Sequence, residues 1–404
     1  CRLVYLCLSE ITELTPQWGM LTGIRPVKKV IDLIEKGFSK NELFAELKNK
    51  FFVSDEKLEL AYKIAKIQMP LIKTNDYKTV SLYVSIPFCP TRCSYCSFVS
   101  HSIESAKNLI PDYIKYLCIE LEKLGEDVRE LGLRIDTIYI GGGTPTSIEA
   151  EDLQRIMECI SKNFDILSVR EYNVEAGRAD TITFEKLKVI KDMGATRISV
   201  NPQTLNDEVL KVIGRKHTSE QTLNAYIMAR DLGFDNINMD LIAGLPTETV
   251  DSFKNTLDKV ILLSPESVTI HTLTLKRSSS LYLERENHFD NPVSQMIEYG
   301  MKNLMENGYN PYYLYRQKNT VENLENTGYA KNGKESFYNI FIMDETQTIL
   351  GAGCSASTKL VYSNGKITRV HNYKFPYEYI NRFDELMKKK STETKEWRDF
   401  IATI

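Results

Sequence analysis

No apolar run in this sequence approaches the roughly 18 residues that a membrane-spanning helix requires, so no membrane span is expected. Charge of one sign is also missing. The 51 Lys and Arg stand against 54 Asp and Glu, a net charge of −3. That argues against a nucleic-acid-binding surface, which is usually strongly basic. It leaves room for a local basic pocket that takes an anionic substrate. Cysteine is scarce, with eight in 404 residues, too few for a disulfide scaffold. Internal repeats and low-complexity segments are absent. No targeting segment is read from a start that is Cys1 rather than Met. What is present is ordinary for a globular chain: 42% apolar and 26% charged residues. Collagen-like, disordered and coiled-coil readings fit this poorly. At roughly 150 residues per domain the length suggests two or three domains, although a barrel domain can be larger.

Residues 1 to 76 read as helical. Val27, Val30, Ile31 and Ile34 keep helical spacing and Gly37 stops the run. A second helix is expected over 40–51. A third starts near Ser54, with Asp55 and Glu56 in its first turn, where a helix dipole favours acids. From residue 78 short β-rich runs alternate with helical stretches. The expected strands are 80–86, 136–140, 171–175, 197–201, 236–241 and 267–273. Between them, Leu153, Ile156, Met157 and Ile160 form one helical stripe, and Phe253, Leu257, Val260 and Ile261 another. This alternation implies a parallel sheet with crossover helices, either a curled incomplete barrel or an open doubly wound sheet. After residue 285 the alternation stops. Val293, Met296, Ile297, Met301 and Leu304 form a further amphipathic helix. Short strands are expected around Phe341 and Ile367, and a polar tail from Thr392.

The chemistry concentrates in Cys89-Pro90-Thr91-Arg92-Cys93-Ser94-Tyr95-Cys96, just after the first expected strand. Clustered cysteines in a cysteine-poor chain point to metal or redox chemistry in a reducing compartment, so a cytoplasmic location is expected. Zinc commonly takes four ligands in paired units, and no second pair follows. Iron–sulfur clusters also prefer thiolates, commonly four. Three thiolates can hold three irons of a cubane and leave the fourth open to a small molecule. A three-Cys zinc site with a distant His, and incidental core cysteines, are the alternatives. Directly after the second strand comes Gly141-Gly142-Gly143-Thr144-Pro145. Glycines allow positive φ and close approach to a ligand; a plain turn is the alternative. Glu175, Gln203, Arg215 and Asp240 stand at or near strand ends, where parallel α/β folds place ligands. Taken singly, each is as well explained as a structural or surface residue. His271 ends the sixth strand and either hydrogen-bonds a substrate carboxylate or caps the sheet. His217 and His371 read as structural or solvated.

The spacing CxxxCxxC, with an aromatic before the last Cys, resembles the radical S-adenosylmethionine (radical SAM) superfamily. The string Tyr83-Val84-Ser85-Ile86-Pro87-Phe88-Cys89 is similar to that of the oxygen-independent coproporphyrinogen III oxidase family, which usually shows His at the position of Ser85. Trp18 through Pro26 resembles the signature of a coproporphyrinogen dehydrogenase branch. Pro311 through Asn319, Asn323 through Asn326 and Gly328-Tyr329-Ala330 do so too. The resemblance covers nearly the whole chain. One departure is that Ser97 and Phe98 stand where the family's oxidases carry a fourth cysteine, an absence that also marks a haem chaperone branch. The string Gly351-Ala352-Gly353-Cys354-Ser355 is similar to a glycine motif in both branches.

The resemblance implies an α/β fold: a partial (β/α)6 TIM-like barrel over 77–284, an N-terminal helical region over 1–76 and a C-terminal α+β cap over 285–404. It implies that Cys89, Cys93 and Cys96 hold a [4Fe–4S] cluster whose open iron binds SAM. Gly142, Gly143 and Thr144 would contact the SAM amino group, and Glu175 its ribose. Gln203, Arg215 and Asp240 would lie around the active site, with Tyr83 and Tyr95 lining the cavity and the Gly244-Leu245-Pro246 turn near the adenine. Tyr83, Tyr95 and Arg215 are the expected catalytic residues. The implied reaction is oxidative decarboxylation of coproporphyrinogen III propionates to vinyls, giving protoporphyrinogen IX, with electrons from an external donor such as flavodoxin or ferredoxin. The alternatives are a haem-binding chaperone and a radical SAM haem-degrading methyltransferase.

Overall fold

The computed structural model describes residues 2–98, 101–276, 279, 281 and 292–404. The boundary expected at 284/285 lies outside the described residues. By internal contacts the chain forms two compact units, Cys1–Lys73 with Leu241–Glu335 and Thr74–Asp240 with Ser336–Ile404. Each unit thus joins two separate stretches of sequence.

In chain order the strands are β1 (Thr79–Ile86), β2 (Phe88–Cys89), β3 (His101–Ser102), β4 (Arg134–Gly142), β5 (Glu171–Glu175), β6 (Arg197–Ser199) and β7 (Ile237–Ala243). They continue with β8 (Ser267–Thr272), β9 (Asn310–Arg316), β10 (Glu325–Ala330), β11 (Thr348–Ala352), β12 (Ser357–Val361) and β13 (Ile367–His371). The first helices are α1 (Arg2–Thr12), α2 (Pro26–Glu35), α3 (Lys40–Phe51) and α4 (Asp55–Ile72). After them come α5 (Ile103–Ala106), α6 (Ile110–Glu130), α7 (Ala150–Asn163), α8 (Phe184–Asp192), α9 (Asp207–Val212), α10 (Ser219–Asp231) and α11 (Val250–Leu263).

In the first unit the helix signals act as expected. Pro26 opens α2, and Gly37 beyond its end takes φ +86°. Ser39 and Glu42 close a capping box on α3, and Ser54 caps α4 through the Lys57 N–H. Val27, Val30, Ile31, Leu43, Leu47, Leu58 and Ile64 pack with Trp18 into one core that reaches Leu314 on β9. Strands β8, β10 and β9 pair antiparallel in that order.

The second unit carries the parallel sheet. Strand β1 pairs with β4, β4 with β5, β5 with β6 and β6 with β7, all parallel. Helix α6 links β1 to β4, α7 links β4 to β5, α8 links β5 to β6, and α9 with α10 link β6 to β7. These are the (β/α) repeats expected from the alternating pattern. Strand β1 is buried along nearly its whole length, as in a sheet covered on both faces. Its second edge is occupied by β11, with Tyr83 opposite Gly351. Both edges of β1 are therefore taken within this unit, so the barrel is partial. Strands β12 and β13 continue antiparallel beyond β11.

Two local expectations differ from the structure. Phe341 lies in the helix Phe337–Asp344, capped by Ser336, rather than in a strand. The tail is not merely polar: it forms the helices Phe383–Glu393 and Lys395–Ala402, which bury Leu386, Trp397 and Ile401.

Candidate active site

The cysteine loop leaves β2 and returns at β3, and Phe88 and Cys89 pair with His101 and Ser102 at its base. Inside it, the Cys96 N–H donates to the Cys93 carbonyl at 3.1 Å. The loop is tied outward by the Ser94 N–H to the Ile213 carbonyl at 3.1 Å and the Thr91 hydroxyl to the Gly214 carbonyl at 3.1 Å. Cys93 is buried, Cys89 and Cys96 half-buried, and all three are free thiols. Among the described residues, no three His, Cys, Asp or Glu side chains converge closely enough to hold a metal ion. The three thiols nonetheless sense one another. Burial pushes the Cys96 thiol up, the Phe98 backbone opposes this, and Cys93 and Cys89 push it further.

The glycine turn lies against the start of this loop because β1 and β4 run in register, Ser85 beside Gly141 and Ile86 beside Gly142. The Gly143 and Thr144 N–H groups donate to the Ile86 and Phe88 carbonyls, both at 2.8 Å. A Cβ on Gly143 would come within 2.6 Å of the Phe88 oxygen and 3.0 Å of the Cys89 sulfur. Gly142 takes φ +109° with Ser85 Oγ 2.7 Å from where its Cβ would be. The Thr144 hydroxyl is 3.5 Å from Cys89 Sγ.

Glu175, at the end of β5, meets the same turn. Its Oε2 lies 3.0 Å from where a Cβ of Gly141 would be. The Tyr139 hydroxyl donates to its other oxygen. Tyr139 stacks on Tyr338 at 4.4 Å and on Tyr83 at 6.1 Å. Burial, then the Glu175 charge, holds the Tyr83 hydroxyl well above the usual tyrosine range, so it stays protonated.

Arg215 is buried. Its Nη1 donates to the Asn201 carbonyl at 2.7 Å and its Nη2 to the Tyr95 hydroxyl at 3.2 Å. Burial works against its charge, but Tyr95 and Cys93 outweigh it and the guanidinium stays protonated. The Tyr95 hydroxyl is itself pushed far up by burial. Gln203 has φ +65°, unusual for a side chain of its size, and its N–H donates to the Asp240 carbonyl at 2.9 Å. Asn238 donates to Asp240 Oδ1 at 2.7 Å, and the Asp240 N–H donates to Asn201 Oδ1 at 3.3 Å.

The structure therefore places Tyr83, Cys89, Cys93, Tyr95, Cys96, Gly142, Gly143, Thr144, Glu175, Gln203, Arg215 and Asp240 in one compact unit. Their contacts form two sets, one around Glu175 and the glycine turn, the other around Arg215 and Asp240. Gly244 and His271 belong to the other unit, where His271 Nδ1 is 3.2 Å from the Tyr315 hydroxyl. His217 is buried against Asp180, and His371 is exposed. Several participants were not legible in the sequence: Tyr139, Tyr338, Arg178, Asn201 and Asn238. None belongs to a contiguous motif: strand register brings in Tyr139, Asn201 and Asn238, the helix Phe337–Asp344 brings in Tyr338, and the turn after β5 brings in Arg178. The fit to a cluster and a charged small molecule rests on this donor set. Three undisulfided thiols share one loop, and protonated Arg215 lies beside Cys93. Gln203 Oε1 and Arg215 Nε are among the buried side-chain atoms with no hydrogen-bond partner in the described residues. Both could serve a bound polar ligand.

Residues 83–260 match the radical SAM superfamily. The chain is 44% identical over 397 residues to the oxygen-independent coproporphyrinogen-III oxidase-like protein HemZ of Bacillus subtilis (strain 168), covering 96% of this chain and 79% of that one. It is 31% identical over 328 residues to the heme chaperone HemW of Lactococcus lactis, covering 79% and 80%. Among solved structures it resembles coproporphyrinogen III oxidase (HemN) from Escherichia coli, a radical SAM enzyme, with a TM-score of 0.60 and 23% identity over 80% and 72% of the chains. The chain belongs to the radical SAM superfamily, within its oxygen-independent coproporphyrinogen III oxidase-like family, whose cofactors are a [4Fe–4S] cluster and S-adenosylmethionine.

Proposed function

We propose that the chain is an oxygen-independent coproporphyrinogen III dehydrogenase of the cytoplasm, converting propionate side chains to vinyls and giving protoporphyrinogen IX. The observation that carries this reading is the three-thiol loop seated on the Gly143 turn, with protonated Arg215 hydrogen-bonded to Tyr95 between two of the thiols. The likeness to the HemZ relative, at higher identity and coverage than to the HemW relative, supports the oxidase branch.

On this reading Cys89, Cys93 and Cys96 hold the cluster. When bound, the cluster and SAM supply a one-electron cleavage that gives a hydrogen-abstracting radical, chemistry that belongs to the cofactors. The protein binds, orients and excludes water. The Gly142-Gly143-Thr144 turn uses the N–H groups of Gly143 and Thr144 internally. It therefore meets a ligand with carbonyl oxygens, which suit an ammonium group. The Glu175 carboxylate, oriented by Tyr139, accepts from ribose hydroxyls. Gln203 Oε1 offers a further acceptor and Arg215 Nε a further donor. Arg215 suits a carboxylate, whether of SAM or of a substrate propionate. Tyr83 and Tyr95 line the cavity as protonated donors, and Asp240 is an acceptor held by Asn238. Electrons come from an external donor such as flavodoxin or ferredoxin.

Ser97 and Phe98, where a fourth cysteine is expected in oxidases, favour a second reading: a haem-binding chaperone that does not decarboxylate. Anaerobic reconstitution followed by reductant, SAM and coproporphyrinogen III distinguishes them by mass spectrometry. Deoxyadenosine with mass losses for decarboxylation is expected, and Cys93→Ala should abolish both. Stoichiometric haem binding without porphyrinogen turnover would replace the proposal with the chaperone. A linear tetrapyrrole formed from haem would replace it with a haem-degrading methyltransferase.

A further inference from the structure

Arg178 lies just beyond β5, is 3% exposed, and has no part in the reaction described above. Two of its three nitrogens are committed to one carboxylate. Nε donates to Asp180 Oδ1 at 3.0 Å and Nη2 to Oδ2 at 2.6 Å. This planar fork fixes the guanidinium and leaves Nη1 aimed at the cysteine loop. Nη1 donates to the Thr91 carbonyl and the Thr91 hydroxyl, both at 3.0 Å, and reaches Cys93 Sγ at 3.7 Å. The fork has its own support. His217 Nδ1 lies 3.3 Å from Asp180 Oδ1. Burial resists the Asp180 charge, yet the hydrogen bonds from His217 and Arg178 outweigh it, so the carboxylate stays ionised. The Thr91 hydroxyl passes the restraint on to the Gly214 carbonyl at 3.1 Å. The chain His217–Asp180–Arg178 thus ends on the middle thiol of the loop.

A fixed N–H and a fixed positive charge at a ligating sulfur favour the more negative, reduced form of the group that sulfur holds. We propose that Arg178 is a positioning residue that holds Cys93 in its ligating pose and raises the reduction potential of the cluster. This rests on the reading that Cys93 is a cluster ligand. A purely structural arginine would fix Thr91 and the loop without moving the potential.

The test is a redox titration of the reconstituted whole chain, followed by electron paramagnetic resonance, without SAM or porphyrinogen. Iron and sulfide per chain are counted in each sample. Arg178→Met is expected to shift the midpoint to more negative potential at equal cluster content. Arg178→Lys, which keeps the charge without the fork, should lie between it and the parent. Asp180→Asn both loosens the fork and removes a negative charge, two opposed effects, so its midpoint should lie closer to the parent than that of Arg178→Met. Full cluster content with an unchanged midpoint in Arg178→Met overturns the proposal. If Arg178→Met holds no cluster, Arg178→Lys carries the measurement, and an unchanged midpoint in it overturns the proposal. A parent chain that holds no [4Fe–4S] cluster overturns the ligand reading itself, an outcome separate from the other two.

Discussion

Nε1 of Trp18 donates to Oε2 of Glu325 at 2.7 Å, across 307 residues of sequence. Two motifs that were conspicuous in the sequence thus meet in one compact unit. The other Glu325 oxygen pairs with Lys57 Nζ at 2.7 Å, and both charged side chains are fully buried. Breaking a buried pair leaves one charge uncompensated and costs about 3–5 kcal/mol. Glu325→Leu should therefore lower the denaturant midpoint substantially. The double variant Lys57→Met/Glu325→Leu should recover much of the loss. A double variant no more stable than the single would show that the ion pair is not the source.

Gly143→Ala tests the seating of the cysteine loop. Its new Cβ would fall within 2.6 Å of the Phe88 oxygen and 3.0 Å of Cys89 Sγ. Overpacking of this kind costs about 1–3 kcal/mol. The loop should yield before the sheet does, so iron content after reconstitution should fall while circular dichroism stays near that of the parent. Full iron loading would show that the turn is not seated as described.

Glu120 gives a pH signature. It accepts from the Gly353 N–H at 2.7 Å, Asn372 at 2.9 Å, Tyr379 at 2.6 Å, and Lys390. Burial pushes its carboxyl up, but the Lys390 charge and these hydrogen bonds hold it below the ordinary value of 4.5. The folded state therefore binds fewer protons than the unfolded one there. Its stabilising contribution is complete above pH 4.5 and is lost as pH falls below it. Glu120→Gln should lower stability by about 3 kcal/mol at neutral pH. The gap to the parent should narrow on acidification below that value. A constant gap from pH 7 down to the acid limit of folding contradicts the assignment.

Cys118 on α6 and Cys159 on α7 form a thiol pair outside the candidate site. Cys159 Sγ donates to the Cys118 carbonyl at 3.5 Å, which brings the two thiols close. The neighbouring Cys159 thiol lowers the Cys118 thiol against the effect of burial, with help from Arg155, favouring the nucleophilic thiolate. Diamide should therefore link them: both thiols lose hydrogen, one disulfide forms, and the diazene is reduced to the hydrazine. Peptide mapping should find the linked pair, reversible by dithiothreitol and absent in Cys118→Ser. Alkylatable Cys118 and Cys159 after full oxidant treatment would rule the pairing out.

The part of the site that could be read from sequence is the part that is contiguous. Cys89 through Cys96 and Gly141 through Pro145 are short strings whose spacing is itself the signal. Arg178, Asn201 and Asn238 act because β5, β6 and β7 lie side by side in register, and no local pattern announces such neighbours. Strands β1, β4, β5, β6, β7 and β8 stood out because buried strands are apolar and these are separated by helical stripes. Phe341 misled because Phe337 through Met343 is almost uniformly apolar. Such a run looks alike in a helix and a strand until its Ser336 cap is recognised. Trp397 and Ile401 were hidden in a tail whose composition is polar while its helical face is not. Strand β11 gave no sign that it would pair beside β1, because pairing across hundreds of residues leaves no local trace.

The interleaving of the two units has a consequence during synthesis. The N-terminal helices complete their unit only with residues up to Glu335, and the unit containing β1 and the cysteine loop completes only with the segment from Ser336 onward. A nascent chain emerging from the ribosome at about 5–20 residues per second must wait for distant partners before either unit is complete. Trp18, Val30 and Leu43 can pack early against Leu47, Leu58 and Ile64, and Leu314 joins that core late. The unit that carries the cysteine loop is complete only with Ser336–Ile404, which favours insertion of iron and sulfide late in synthesis rather than early.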